Sequence, residues 1–289
     1  MNPEQVRERE TRWARPAALA ALAGAVLVFL PSFVSSVSGS GEAEALRSVD
    51  AHAANVTLTS LMPALAFLLF AVPLVYLFHA ARARSERVQP AVIVILLVAP
   101  LLVAAGTVLY GQARQEGAES FVAGEAKPSI SAQDVKDECE GEKPLAACEK
   151  EKREDDAASN AIGDASLTPI ATVVSLLGGL LFAIGLFYTC LWAMRTGLLS
   201  RFWGSLGMAL GIAILIGFVI FAIIWFAYLG LLFLGLLPGG KPAAWEAGEA
   251  VPWETPGEKA AAELEASPDG EDAVATEDSA ERRKRKQRE

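Results

Sequence analysis

The chain has 289 residues, a formal net charge of −9 and 53% hydrophobic residues, with a mean hydropathy of +0.35. The acidic balance argues against a nucleic-acid binder. The gathering of apolar residues into long blocks argues against a soluble core, where apolar and polar positions interleave.

Five blocks, 16–33, 58–78, 88–110, 167–194 and 202–237, contain no Asp, Glu, Lys or Arg. Each is near or above the roughly 20 residues needed to cross a bilayer. The first follows Arg7, Arg9, Arg12 and Arg15 and precedes the small-residue run "SSVSGSG", so a cleaved secretory signal is its alternative reading. Lys and Arg close to a span are retained in the cytoplasm. On that rule residues 1–15 form a cytoplasmic N-terminus, and 34–56, with Glu42, Glu44 and Asp50 against Arg47, form an external loop. Arg82, Arg84 and Arg87 keep 80–87 inside. The third span then delivers the acidic segment 111–166 to the exterior, and Arg195 and Arg201 lie inside again after the fourth.

Within 111–166, Cys139 and Cys148 lie in a compartment where disulfides persist, so a structural disulfide is expected between them. Closing a loop of about ten residues contributes on the order of 2–3 kcal/mol in the chain-entropy account. A redox pair usually has closer spacing, and zinc needs further soft ligands, which neither His52 nor His79 supplies nearby. Ser131 ahead of Asp134 reads as a helix start, and Pro144 suits the first turn of a second helix. Together these predict a helical hairpin clipped near its turn. The carboxylates Asp137, Glu138, Glu140 and Glu142 read as a solvated run, with weak calcium binding or external acid chemistry by Asp137 and Glu140 as alternatives. Cys190 reads as an apolar packing residue. Asn55-Val56-Thr57 fits the glycosylation acceptor pattern, a match common by chance.

As one helix, block 202–237 would run about 54 Å, well beyond a hydrocarbon core of about 30 Å. Division near Gly217 and Phe218 makes six spans and a cytoplasmic tail; no division leaves five. Ser175, Gly179 and Ala183 recur every fourth residue, as do Gly207 and Gly211 and also Ala17, Ala21 and Ala25, which predicts close helix packing in the bundle, with homo-oligomerisation as the alternative. Pro63, Pro73, Pro90 and Pro100 are candidate kinks. In "PGGKPAAWEAGEAVPW", Pro238 and Gly239-Gly240 end a helix, while Trp245 and Trp253 suit interfacial anchors; a partner site is the alternative. Residues 255–289 are too polar to bury a core, and their basic cluster, Arg282 to Lys286, suits anionic lipid or solubility.

The segments "RTGLLSRFWGSLGMALG" and "PGGKPAAWEAGEAVPW" resemble a poorly characterised family of bacterial multi-pass membrane proteins of the high-GC Gram-positive type, mainly over 170–255. That resemblance implies a pair of spans in the last apolar block, hence six. It differs here in lacking a proline-like break and in a longer external loop, and it carries no known activity.

The sequence thus predicts an all-α polytopic transmembrane bundle of six spans, with helices 1–3 in 16–110, helices 4–6 in 167–237, a small extracytoplasmic hairpin in 111–166 and a largely disordered cytoplasmic tail, 238–289. Its expected place is the plasma membrane, N-terminus inside. The spans carry none of the ionisable groups that ion-coupled transport or intramembrane hydrolysis needs. The expected role is a non-enzymatic interaction or accessory protein without cofactors or metals. It would meet the lipid bilayer and protein partners at the acidic loop and tail, and no nucleic acid. A small transporter or channel for a neutral or lipid-like solute is the alternative, for which a polar cavity near Pro63, Pro100 or Thr172 would speak.

Overall fold

The structure is a computed structural model, and it describes residues 3–34, 41–141, 144–215 and 220–253. Every regular element among them is an α-helix: α1 (Pro3–Phe29), α2 (Pro31–Val34), α3 (Glu42–Ala51), α4 (Ala53–Arg84), α5 (Val92–Val122), α6 (Ala132–Glu138), α7 (Leu145–Asp164), α8 (Thr168–Arg195), α9 (Arg201–Leu215), α10 (Ile220–Leu234) and α11 (Ala243–Ala247). The chain divides into two compact units, Met1–Val251 and Pro252–Glu289. Of the second, only Pro252 and the half-exposed Trp253 are described. The proposed break at Gly217 and Phe218, the carboxylate of Glu142 and the basic cluster from Arg282 lie outside the described residues.

α1, α4, α5 and α8 are long and apolar enough to cross a membrane. α9 and α10 have 15 residues each, about 22 Å at 1.5 Å per residue, and fall short of the full hydrocarbon thickness. These six apolar helices form a ring in which α1 packs on α4, α4 on α5, α5 on α8, α8 on α9, and α10 on both α9 and α1. Trp203 of α9 stacks on Tyr228 of α10 with centroids 3.7 Å apart, and Gly207 faces Trp225. Later residues of one helix thus meet earlier residues of the other, so α9 and α10 run antiparallel.

Aromatic rings fill the centre. Phe70 of α4 stacks on Phe226 of α10 at 3.7 Å, and Phe67 meets Phe182 of α8 edge-on at 5.6 Å. Trp225 is wholly buried, its indole N–H donating to the carbonyl of Trp203 at 3.0 Å. The apolar surplus faces outward: Leu101 of α5 and Val173, Leu176 and Phe187 of α8 are about half to two-thirds exposed. A contiguous apolar exterior of this kind suits hydrocarbon and not water.

Small residues set the closest approaches. A Cβ on Gly106 of α5 would collide with Ser175 of α8, and one on Gly207 would stand 2.7 Å from the Trp225 ring and against the Cys190 sulfur. Gly211 meets the backbone of Ala183. Gly179 is buried in α8. Pro63 and Pro73 lie inside α4, and Pro100 inside α5, without ending either helix, while Pro90 precedes α5. α1 starts well before the first apolar block, and α5 runs twelve residues beyond Tyr110, as far as Val122. The polar ends of these helices are sheltered by tertiary partners described below, which hydropathy does not register.

Gly207→Ala is expected to lower stability by about 1–3 kcal/mol, because the methyl must displace an indole and a sulfur in a packed core. Gly163→Ala, on the open side of α7 with no atom within 4 Å, is expected to be neutral or to stabilise by up to about 1 kcal/mol. Thermal unfolding of both variants in lipid nanodiscs checks the contrast.

Candidate functional site

At the end of the bundle rich in arginine, three separate elements converge on one buried guanidinium. The Arg84 side chain, at the last turn of α4, is fully buried. Its Nη1 and Nη2 donate to the two carboxylate oxygens of Glu10 on α1, the second at 3.0 Å. Nε and Nη2 donate to the carbonyl of Ala244 in α11, at 3.1 and 2.7 Å, and Nη1 donates to Ala80 O at 3.0 Å. All five N–H groups of the fork are therefore used. The carbonyl of Glu10 accepts the Tyr76 hydroxyl at 3.1 Å, and the Tyr76 ring stacks on Trp245 at 5.7 Å. Arg84 lies over the same indole, 5.5 Å from its centroid, a cation–π arrangement.

The turn after α8 and the segment around α11 meet here. Trp245 Nε1 donates to Leu198 O at 2.9 Å, and the Val251 N–H donates to Thr196 O at 3.2 Å. Gly197, between them, has φ +79°, and a Cβ there would collide with the Val251 carbonyl. Both the left-handed turn and the close approach require glycine.

The opposite end carries a folded polar module with its own core. Leu46 and Val49 of α3, Ala118 of α5, and Ala158 and Ala161 of α7 bury one another. Three consecutive acids of α7 point in different directions, as helical geometry dictates, and each holds a different segment. Glu154 pairs with Arg47 of α3 at 2.7 Å. Asp155 accepts the Ala43 N–H at 2.9 Å in the first turn of α3, where unsatisfied N–H groups favour a carboxylate. Asp156 accepts the N–H groups of Ser129 and Ile130, the latter at 3.0 Å. On α5, Glu116 accepts the Ser166 N–H and hydroxyl at 2.9 Å, which ties down the approach to α8.

α6 and α7 run antiparallel beside this core. Cys139 and Cys148 are bonded, with Cα atoms 5.9 Å apart, and Lys152 pairs with Glu138 at 2.9 Å. Ser131 caps α6, its Oγ accepting from the Asp134 N–H at 3.2 Å. Pro144 stands at the N-cap of α7, one position ahead of the first turn.

Of the residues singled out from sequence, Cys139 and Cys148 are joined, Ser175 faces α5, and Ala183, Gly207 and Gly211 lie at contacts of α8, α9 and α10. Trp245, expected at the headgroup level, is buried with its indole N–H satisfied inside the fold. Cys190 is wholly buried. Thr172, a possible cavity marker by sequence, is exposed and returns its hydroxyl to Thr168 O at 2.8 Å. Glu10 escaped sequence reading, hidden among arginines in "RERETRW". Its one local signal is helical spacing from the buried Val6, Ala14 and Ala17, at i−4, i+4 and i+7, which places it on the inward face of α1.

Arg84→Leu is expected to cost about 3–5 kcal/mol, because it strands the buried Glu10 carboxylate, while Glu10→Gln with Arg84→Met recovers much of the loss. Unfolding midpoints in nanodiscs read both. In the polar module, the N–H of Ile130 holds the Asp156 carboxyl below its ordinary pKa, and the hydrogen bond from Arg47 does the same for Glu154. Depressed folded-state values mean that these braces contribute fully above about pH 5, beyond the unfolded carboxyl values, and are lost as pH falls through the lower folded values. Amide exchange at 127–131 and 42–46, corrected for intrinsic rates, is expected to be unchanged between about pH 5 and 7 and faster near pH 3.

No family model matches the chain, and no curated protein or solved structure matches it either.

Proposed function

We propose that the chain is a six-span plasma-membrane protein with both termini cytoplasmic, and that it works as a non-enzymatic interaction or accessory protein. The polar module is its external contact surface, and the segment after α10 is its internal one. The observation that carries this reading is the division of labour between filled interior and folded exterior. Aromatic rings occupy the middle of the ring of helices, whereas the polar module has a core and a disulfide of its own. A rigid platform outside the bilayer suits recognition, because preorganised surfaces lose little freedom on binding.

Orientation is supported by charge. Arg84, Arg87, Arg195 and Arg201 gather at one end, with the acidic helices at the other, as the positive-inside rule expects of a cytoplasmic basic face. The antiparallel pairing of α9 and α10 returns the chain to the basic end, which supports six crossings even though each helix is short. The carboxylates of Glu116, Glu154, Asp155 and Asp156 brace the module, while Asp137, a candidate for external acid chemistry with Glu140, accepts from Gln133 of its own helix at 3.2 Å.

In intact cells, a membrane-impermeant thiol reagent is expected to label Cys139 and Cys148 only after reduction, and Ala275→Cys only after the cells are opened. Labelling of Ala275→Cys from outside would mean five spans. Purified protein in liposomes is expected to release encapsulated glycerol or sucrose no faster than empty vesicles, while a photo-crosslinker at Lys136 or Glu140 in cells yields discrete adducts. Solute release above that background would replace the interaction reading with a pore.

A further inference from the structure

A cleft of about 350 Å³ opens between α1 and α4 at the basic end. Its floor is apolar, built from Ala17, Val72, Val75 and Leu97, and it is continuous with the lipid-facing surface, since Val72 is 37% exposed and Leu97 50% exposed. The helical repeat places its mouth one or two turns above that floor: Arg9 and Trp13 on α1, and His79 on α4, line it. Val72 to His79 covers about 10 Å along α4, so apolar floor and polar mouth are stacked along the membrane normal.

The charge balance of this mouth is set by the buried pair. Glu10 also lines the cleft, but its carboxylate is held by both Nη atoms of Arg84, and its carbonyl accepts from Tyr76. Arg9 and His79 form no hydrogen bond or ion pair among the described residues, and Arg82 stands close enough to act electrostatically on His79. What remains at the mouth is one free guanidinium, an imidazole able to donate, and an exposed indole above a greasy slot.

We infer that this cleft is a binding site for an anionic glycerophospholipid of the leaflet that meets the basic end. Arg9 and His79 hold the phosphate, Trp13 lies beside the glycerol region, and the start of one acyl chain runs over Val72, Val75 and Leu97 into the bilayer. A lipid fits better than a water-borne phosphate because the larger part of the lining is apolar and opens towards hydrocarbon. Phosphate recognition by a planar guanidinium and an aromatic at the interface follows ordinary chemistry. The inference rests on the membrane-spanning reading and is independent of what the polar module binds.

The test reconstitutes the full chain in nanodiscs of phosphatidylcholine with a minor share of phosphatidylglycerol, then counts the lipids retained in mild detergent by native mass spectrometry. Wild type is expected to retain one phosphatidylglycerol in preference to phosphatidylcholine. Arg9→Gln is expected to weaken that retention about fivefold, the effect of one basic group at a headgroup, and His79→Ala to weaken it further. Ala71→Phe, which fills the slot without altering charge, is expected to abolish it. Arg87→Gln, exposed at the same end but outside the cleft, is expected to leave it intact. Unfolding midpoints near that of wild type establish that the variants are folded, and Val72→Phe serves if Ala71→Phe is not.

Equal retention of the two lipids overturns the proposal. So does a loss with Arg87→Gln as large as that with Arg9→Gln, which would mean a diffuse surface field. Persistent binding in a folded slot-filled variant rules out the slot. Displacement of the lipid by soluble glycerol 3-phosphate would show that the mouth reads a free phosphate ester instead. A failure of the membrane reading is distinguishable, because thiol labelling reports on it separately.

Discussion

A guanidinium removed from water must be met by a full set of acceptors, and the arrangement of one end of this protein follows from that requirement. Arg84 obtains its acceptors from Glu10, Ala80 and Ala244, which belong to three helices far apart in sequence. Desolvating both charges is costly, so the pair yields little net stability by itself. Its effect is on specificity: a bundle in which α1, α4 and α11 met in another register would leave a charge buried without partners. Tyr76 and Trp245 then close over the pair as stacked rings, keeping water out of the arrangement they complete.

The other end solves a different problem. The polar module lacks the apolar surface of the long helices, and helices as short as α3 and α6 are not stable alone. α7 supplies what they lack, with Glu154, Asp155 and Asp156 each reaching one neighbour and small alanines letting α3 and α5 approach. Exposed ion pairs such as Arg47–Glu154 contribute little individually. The carboxylates matter because two of them satisfy backbone N–H groups that no helix partner reaches, and because the Cys139–Cys148 bond holds α6 against α7.

The bundle was legible from its uncharged blocks, because hydropathy reports directly on transfer to hydrocarbon. The pairing of Cys139 with Cys148 and the Ser131 cap were legible too, since both involve residues close in sequence. The Glu10–Arg84 pair was not. Arg84 reads as a topological charge and Glu10 as one acid among arginines, and nothing local connects residues 74 positions apart. For the same reason the bracing roles of Glu154, Asp155 and Asp156 were not legible, although their place on a helix was, and the polar continuation of α5 to Val122 is invisible to hydropathy. Trp245 illustrates the converse: its surroundings in sequence are those of a membrane rim, whereas its burial depends on Tyr76, Arg84 and Leu198, which the fold alone brings together.

The connection between Arg84 and Ala244 also bears on how the protein is made. The acceptor follows the guanidinium by 160 residues, and at roughly 5–20 residues per second of synthesis about 8–30 s separate their emergence from the ribosome. During that interval α4 stands without the carbonyl that takes its Nε–H, and the aromatic lid is missing. The acceptors of Arg84 are therefore incomplete until every later apolar helix has been made. The set closes only when the chain past α10 arrives, which makes the last described helix the step that completes a structure begun by the first.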